Sequence, residues 1–169
     1  MPGVVRAQTV KGDRMARTEY YDDPQAPKPN SLVVAASAVV TDGQGRILLQ
    51  RRRDNELWAL PGGGLDMDDS LPGTAVREVK EETGLDVEIT GLSARTRTPG
   101  TSSRTATVRS ADSSTCASRR VVGGDLAVSD ESTGLRFVAP VELDSLPMHH
   151  TQRLRLEHFL EHRTTPCLG

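Results

Sequence analysis

The stretch GGGLDMDDSLPGTAVREVKEETGL, running from Gly62 to Leu85, decides how the chain is read. It is a glycine turn followed by a helix with an acidic side. Ser70 offers a side-chain oxygen as N-cap, Pro72 is tolerated in the first turn, and Gly84 is a stop, which predicts a helix from about Leu71 to Thr83. Gly73 weakens that first turn by roughly 1 kcal/mol relative to alanine. On such a helix Glu78, Glu81 and Glu82 stand at i, i+3 and i+4, so their carboxylates share one side. Leu71, Ala75 and Val79 recur every four residues on another side, which can bury against a sheet.

Three carboxylates on one side repel one another, so a cation must compensate if they are held close. Arg77 can pair with Glu81 at i+4, which neutralises one charge only. A hard divalent cation, Mg²⁺ or Mn²⁺, is the natural remaining partner. Mg²⁺ takes oxygen ligands, keeps several waters, and is typically held by one or two carboxylates together with substrate phosphates. The Gly62–Gly64 turn lets backbone approach the same place without obstruction. An acidic helix taken alone is equally what a solvated surface helix looks like; the residues around it must separate the two.

Outward from this stretch, SLVVAASAVVTD from Ser31 reads as a buried strand. Asp42-Gly43-Gln44-Gly45 supplies turn chemistry and RILLQRRR a second strand, which predicts a hairpin. LDVEITGL after the helix is another strand, and VVGGDLAV and LRFVAP are strand-like. PVELDSL is a short helical turn, and HTQRLRLEHFLEH a C-terminal helix with Leu154, Leu156, Phe159 and Leu160 mostly inward. The pattern is mixed α/β.

The full spacing resembles the Nudix box. That pattern is glycine, five residues, glutamate, seven residues, then R-E-U-x-E-E-x-G-U, with U a bulky aliphatic. Here Gly63, Asp69 and then Arg77 to Leu85 match it at eight of nine specified positions. Asp69 stands where the family has glutamate, one methylene shorter, which implies weakened and not abolished metal binding. Trp58-Ala59-Leu60-Pro61-Gly62-Gly63 leading into the box also looks like the family. The resemblance implies a Nudix fold, a mixed β-sheet sandwiched between helices. It implies hydrolysis of the diphosphate linkage in a nucleoside diphosphate derivative, either ADP-ribose-like or a nucleoside triphosphate. By the family's pattern Glu78, Glu81 and Glu82 would bind the divalent ions with the Gly62 carbonyl, and Arg77 would orient a box glutamate. Water would attack at phosphorus.

Arg51, Arg52 and Arg53 end the second strand; Arg52 or Arg53 could meet a substrate phosphate, and each also reads as a solvated strand end. Trp58 suits stacking on a base or anchoring the core. His149 and His150 read as surface residues at a helix start.

At 169 residues the chain suits one domain, set at 31–163, with residues 1–30 a disordered tail in which Met15 is an alternative start. A net charge of −2 and a sequence pI of about 6.1 leave no basic footprint for nucleic acid. No apolar run nears the ~20 residues that cross a bilayer, and the first residues lack a secretory core. A cytoplasmic enzyme acting on a small nucleotide is expected, as a monomer or a homodimer. Cys116 and Cys167 read as free thiols.

Between Ser93 and Ser118 the chain reads SARTRTPGTSSRTATVRSADSSTCAS, with Val108 the one large aliphatic residue and no aromatic. Compact domains rarely carry so long a structureless loop. Two readings remain. One is a disordered insertion. The other is a compensated frameshift. With every codon boundary moved one base upstream, permitted codons for these residues can encode V-G-A-Y-T-D-P-G-H-V-I-A-Y-S-D-G-E-V-R-R-Q-F-N-M-C-F. That string has a strand, a Ser-Asp-Gly turn and an alternating strand ending in aromatics. In that case the polypeptide as written is a catalytically impaired, Nudix-like nucleotide-binding domain or a defective product. Gly134 also stands where relatives often carry an acid.

Overall fold

In a computed structural model of the chain, the described residues are 9–10, 17–20, 25, 27–96, 102–104, 108–118 and 120–168. Strands β1 (Thr9–Val10), β2 (Arg17–Tyr20), β3 (Ser31–Val40), β4 (Ile47–Arg52), β5 (Trp58–Ala59) and β6 (Gly62–Gly64) precede helix α1 (Leu71–Thr83). Strands β7 (Leu85–Glu88), β8 (Gly91–Thr96), β9 (Ser102–Arg104), β10 (Val108–Ser118), β11 (Arg120–Gly124) and β12 (Ser132–Val138) follow. A 3-10 turn over Pro140–Ser145, helix α2 (His150–Leu160) and β13 (Cys167–Leu168) close the chain.

The main sheet runs β1-β2-β9-β10-β3-β6, with β8 also paired to β10 and β13 to β8. It is mixed: β10 lies parallel to β3 and antiparallel to β8 and β9. A three-stranded sheet has the order β12-β4-β5, and β11 pairs with β7. The mixed α/β expectation holds.

β3 explains how the layers fit. Ala36, Ala38 and Val40 point to one cluster, completed by Leu48, Ala75, Val79, Leu85 and Val87. Val39, one residue out of phase, belongs to a second cluster with Ile47, Leu49, Leu60, Val138, Leu143, Leu146 and Leu156. Successive strand residues face opposite ways, so one strand walls two cores and reads as an unbroken apolar run. Ala75 and Val79 bury α1 against the first core, as the four-residue spacing predicts. Leu156 of α2 is buried in the second, with Phe159 and Leu160 packed around it.

The structure alters two expectations. β3 and β4 meet at a single bridge, Thr41 with Ile47, and then separate into different sheets. The turn forms as read, since Asp42 Oδ1 accepts from the Gln44 and Arg46 N–H groups at 2.9 Å. Beyond it each strand finds a non-local partner: β10 for β3 and β12 for β4. Within residues 1–30, the described pieces are not free: β2 pairs antiparallel with β9 and so lengthens the sheet. Within 93–118 the described residues lie in strands, with β10 paired to both β3 and β8. Residues 97–101 and 105–107, and the thiol of Cys116, lie outside what is described.

Candidate active site

α1 begins and ends as its sequence predicts. The Ser70 side chain accepts from the Gly73 N–H, and Gly84 takes a left-handed φ of 77°. This fixes the rotation of the helix. Glu82 is thereby turned inward and is 6% exposed. Opposite it, β6 pairs with β3 so that Ser37 lies against Gly62 and Ala36 against Gly63. The two pieces touch through a hydrogen bond: the Gly62 N–H donates to Glu82 Oε2 at 2.8 Å. A Cβ at Gly63 would fall 2.5 Å from Glu78 Oε1, so a side chain there would push that carboxylate aside.

Burial pushes the Glu82 carboxyl up to about 7, aided by the charge of Glu78 and opposed by hydrogen bonds from Gln50 and Gly62. Burial also raises Glu78, with Arg77 opposing. At Asp69 desolvation is outweighed by the Thr74 hydroxyl, the Ser70 N–H and Arg77, which hold it below the usual carboxylate range.

Arg77 reaches further than its i+4 spacing suggests. Its Nη1 lies 2.9 Å from Glu78 Oε1 and 3.1 Å from Glu81 Oε2. Its Nε is 3.4 Å from Asp69 Oδ2 and its Nη2 3.5 Å from Asp66 Oδ2, so one guanidinium serves four acids. Nη2 also meets the Gly64 carbonyl at 3.3 Å. The three box glutamates are therefore not alike: Glu82 and Glu78 are drawn in, while Glu81 remains largely exposed. Among the described residues no three acidic, histidine or cysteine side chains converge into a finished metal cage. Arg77 holds Glu78 and Glu81, and Glu82 is engaged by Gly62. The donor set still suits a hard divalent ion, being all carboxylate oxygen beside a turn without side chains. Gly62, expected to contribute through its carbonyl, makes its observed contact through its N–H.

The other predicted residues are placed less centrally. Arg52 forms a two-pronged pair with Asp54, at 2.9 and 2.7 Å, while feeling the charges of Glu82 and Glu131. Arg53 is used structurally: its Nε donates to the Asp130 carbonyl at 2.8 Å and its Nη2 to that of Ser132 at 2.9 Å. Arg51 pairs with Glu56 at 2.7 Å. Trp58 is partly buried against the second core, with the Arg136 guanidinium 5.9 Å from its ring centroid. His149 caps α2 by accepting from the Thr151 N–H. An open groove along α1 is lined by Val76, Arg77, Lys80, Glu81, Ile89 and Val122, whereas Glu78 and Glu82 lie against the glycine turn.

Sequence reading missed Gln50, Ser132 and Glu131. Gln50 touches Glu82, Ser132 touches Gln50, and Glu131 adds negative charge near Glu78. Strand alternation could have found Gln50, since it shares a side of β4 with Leu48. The other two arrive from β12 and the turn before it, with no local signal.

Comparison with known proteins identifies the family. The model of the NUDIX domain matches residues 31–160. A MutT-like protein from Streptomyces ambofaciens is 43% identical over 74 residues, covering 43% of this chain and 48% of that protein. A putative 8-oxo-dGTP diphosphatase from Bacillus subtilis is 31% identical over 109 residues, 64% of this chain and 67% of the relative. The chain thus spans about half the length of the first relative and two thirds of the second. The MutT protein from Methanosarcina mazei superposes with a TM-score of 0.67 at 23% identity, over 83% of this chain and 100% of that one, and speaks for the fold. A MutT NUDIX hydrolase from Burkholderia pseudomallei gives 0.62 at 26% identity, over 75% and 97%. With the turn, the helix and both cores inside the matched region, the chain belongs to the NUDIX domain family.

Proposed function

We propose that the protein is a metal-dependent hydrolase that cleaves the diphosphate linkage of a nucleoside diphosphate derivative in the cytoplasm, with Mg²⁺ or Mn²⁺ as its ion. The observation that carries this reading is the closure of the glycine turn on α1. A glutamate that is 6% exposed accepts from Gly62, and a second lies against Gly63. Burying carboxylates is costly unless charge compensates it. Glu78, Glu81 and Glu82 would hold the ion. When bound, it would lower the pKa of a water and neutralise diphosphate charge. Arg77 keeps the outer acids together, and Asp69, in place of the family's glutamate, anchors Arg77 and the helix start through Thr74. Of the strand arginines, Arg52 is the one we assign to a substrate phosphate, because its charge acts on Glu82.

Relatives carry names for different substrates, among them 8-oxo-dGTP, RNA and ADP-ribose. The test is hydrolysis by the full chain of a panel holding nucleoside triphosphates, an oxidised guanine nucleotide, ADP-ribose and a 5′-triphosphate RNA, with and without Mg²⁺. We expect ion-dependent release of phosphate or nucleotide, falling by more than about 100-fold in Glu82→Gln. Turnover that survives that change contradicts the site.

A second reading, an impaired domain read partly out of frame, is favoured by β10. This strand sits between β3 and β8 yet is spelled V-R-S-A-D-S-S-T-C-A-S. A central strand with even one face against a core ordinarily carries apolar residues at every second position. The string obtained by moving the codon boundaries puts V-I-A on 102–104, the extent of β9, and E-V-R-R-Q-F-N-M-C-F on 109–118, inside β10. The gene's codons decide: any codon in this stretch incompatible with that string removes this reading.

A further inference from the structure

The first core contains a polar chain that neither the helix motif nor the glycine turn explains. Gln50, on β4, is 2% exposed, and Ser132, at the start of β12, is 0% exposed. The Ser132 hydroxyl donates to Gln50 Oε1. The Gln50 side chain in turn hydrogen-bonds Glu82. With its oxygen occupied by a hydroxyl donor, the amide presents its NH₂ to the carboxylate, which can only accept when ionised. Glu82 is therefore held from two sides, by the Gly62 N–H from β6 and by the amide from β4. Ser132 is fixed in turn, its carbonyl accepting from Arg53 and its N–H donating to the Ser129 carbonyl at 3.2 Å.

Taking Glu82 as an ion-binding group, as above, we propose that Gln50, oriented by Ser132, is a positioning residue. It fixes the Glu82 carboxylate in the orientation that faces the glycine turn and so sets the protein's affinity for its divalent ion. The alternative is a self-contained polar pair in the core. Such a pair would influence folding but leave ion affinity unchanged once the protein is folded. The two roles differ in what a distant change does, because Ser132 meets Gln50 and Gln50 in turn meets Glu82.

The experiment is Mn²⁺ binding, followed by loss of the free-ion paramagnetic resonance signal, on the full chain and its Gln50→Met, Ser132→Ala, Glu82→Gln and Gln50→Met/Glu82→Gln variants. Metal-free melting curves verify that each is folded. We expect Gln50→Met to weaken Mn²⁺ binding by about 10- to 100-fold, as partners of ligating groups commonly do. Ser132→Ala should shift it in the same direction by less. In the Glu82→Gln background the Gln50 change should add nothing. Unchanged Mn²⁺ affinity in folded Gln50→Met and Ser132→Ala, or full additivity with Glu82→Gln, overturns the proposal. Should Gln50→Met fail to fold, Ser132→Ala alone decides. A wild-type chain that binds no Mn²⁺ defeats the reading of Glu82 as an ion ligand, and this inference with it.

Discussion

Arg77 is the side chain on which most of the site's charge converges, and its planar fork explains how one residue meets four acids. A lysine has the same charge without the fork. Arg77→Lys is therefore expected to behave more like Arg77→Ala than like wild type, with a lower metal-free melting temperature in both. The loss should shrink as salt is added, which calorimetry at two ionic strengths would reveal. Gly63 offers the complementary test. A methyl group there would press on the Glu78 carboxylate at 2.5 Å, so Gly63→Ala should displace that acid and lower Mn²⁺ affinity. The acidic cluster and the Arg77–Glu81 pair were legible in the sequence because i, i+3 and i+4 neighbours on a helix meet by geometry alone. That Arg77 would also recruit Asp66 and Asp69 was not, because it depends on how the turn folds back.

Among elements, α1 was the most legible, since its limits are written locally. Ser70→Ala should cost about 1 kcal/mol through the lost cap. Gly84→Ala should cost more, because φ is +77° and a Cβ would lie 2.3 Å from the Asp125 carbonyl oxygen. Urea melts of both would rank them. The strands were legible as strands but not as partners. Nothing near Asp42 tells β3 and β4 to separate, because their true neighbours lie many residues later in the chain. β10 carries the sharpest prediction at this scale. A chain bearing the alternate string at 93–118 should melt higher and turn over faster than the chain as written. Equal melting temperatures would count against the frame explanation.

For the whole molecule, the carboxyls of Glu82 and Glu78 tie stability to pH. Glu82 titrates near 7 when folded and near 4.5 otherwise, so between these values the folded state keeps a proton that the unfolded state has lost. That contribution is fully present below about 4.5 and disappears as pH rises through about 7. The metal-free protein should therefore melt lower at about pH 7.5 than at about pH 5, and Glu82→Gln should flatten the trend. Divalent ions favour the ionised carboxylate, so their affinity should climb over the same interval. Among the described residues no helix is long and apolar enough to cross a membrane.

The guanidinium seated between Glu78 and Glu81 also bears on how the proposed ion would be received. On that reading the ion shares these acids with a cation tethered to the neighbouring backbone and always present, so its affinity would be tempered. With the ion absent, the same guanidinium leaves the helix's acids partly neutralised and spares the domain their mutual repulsion.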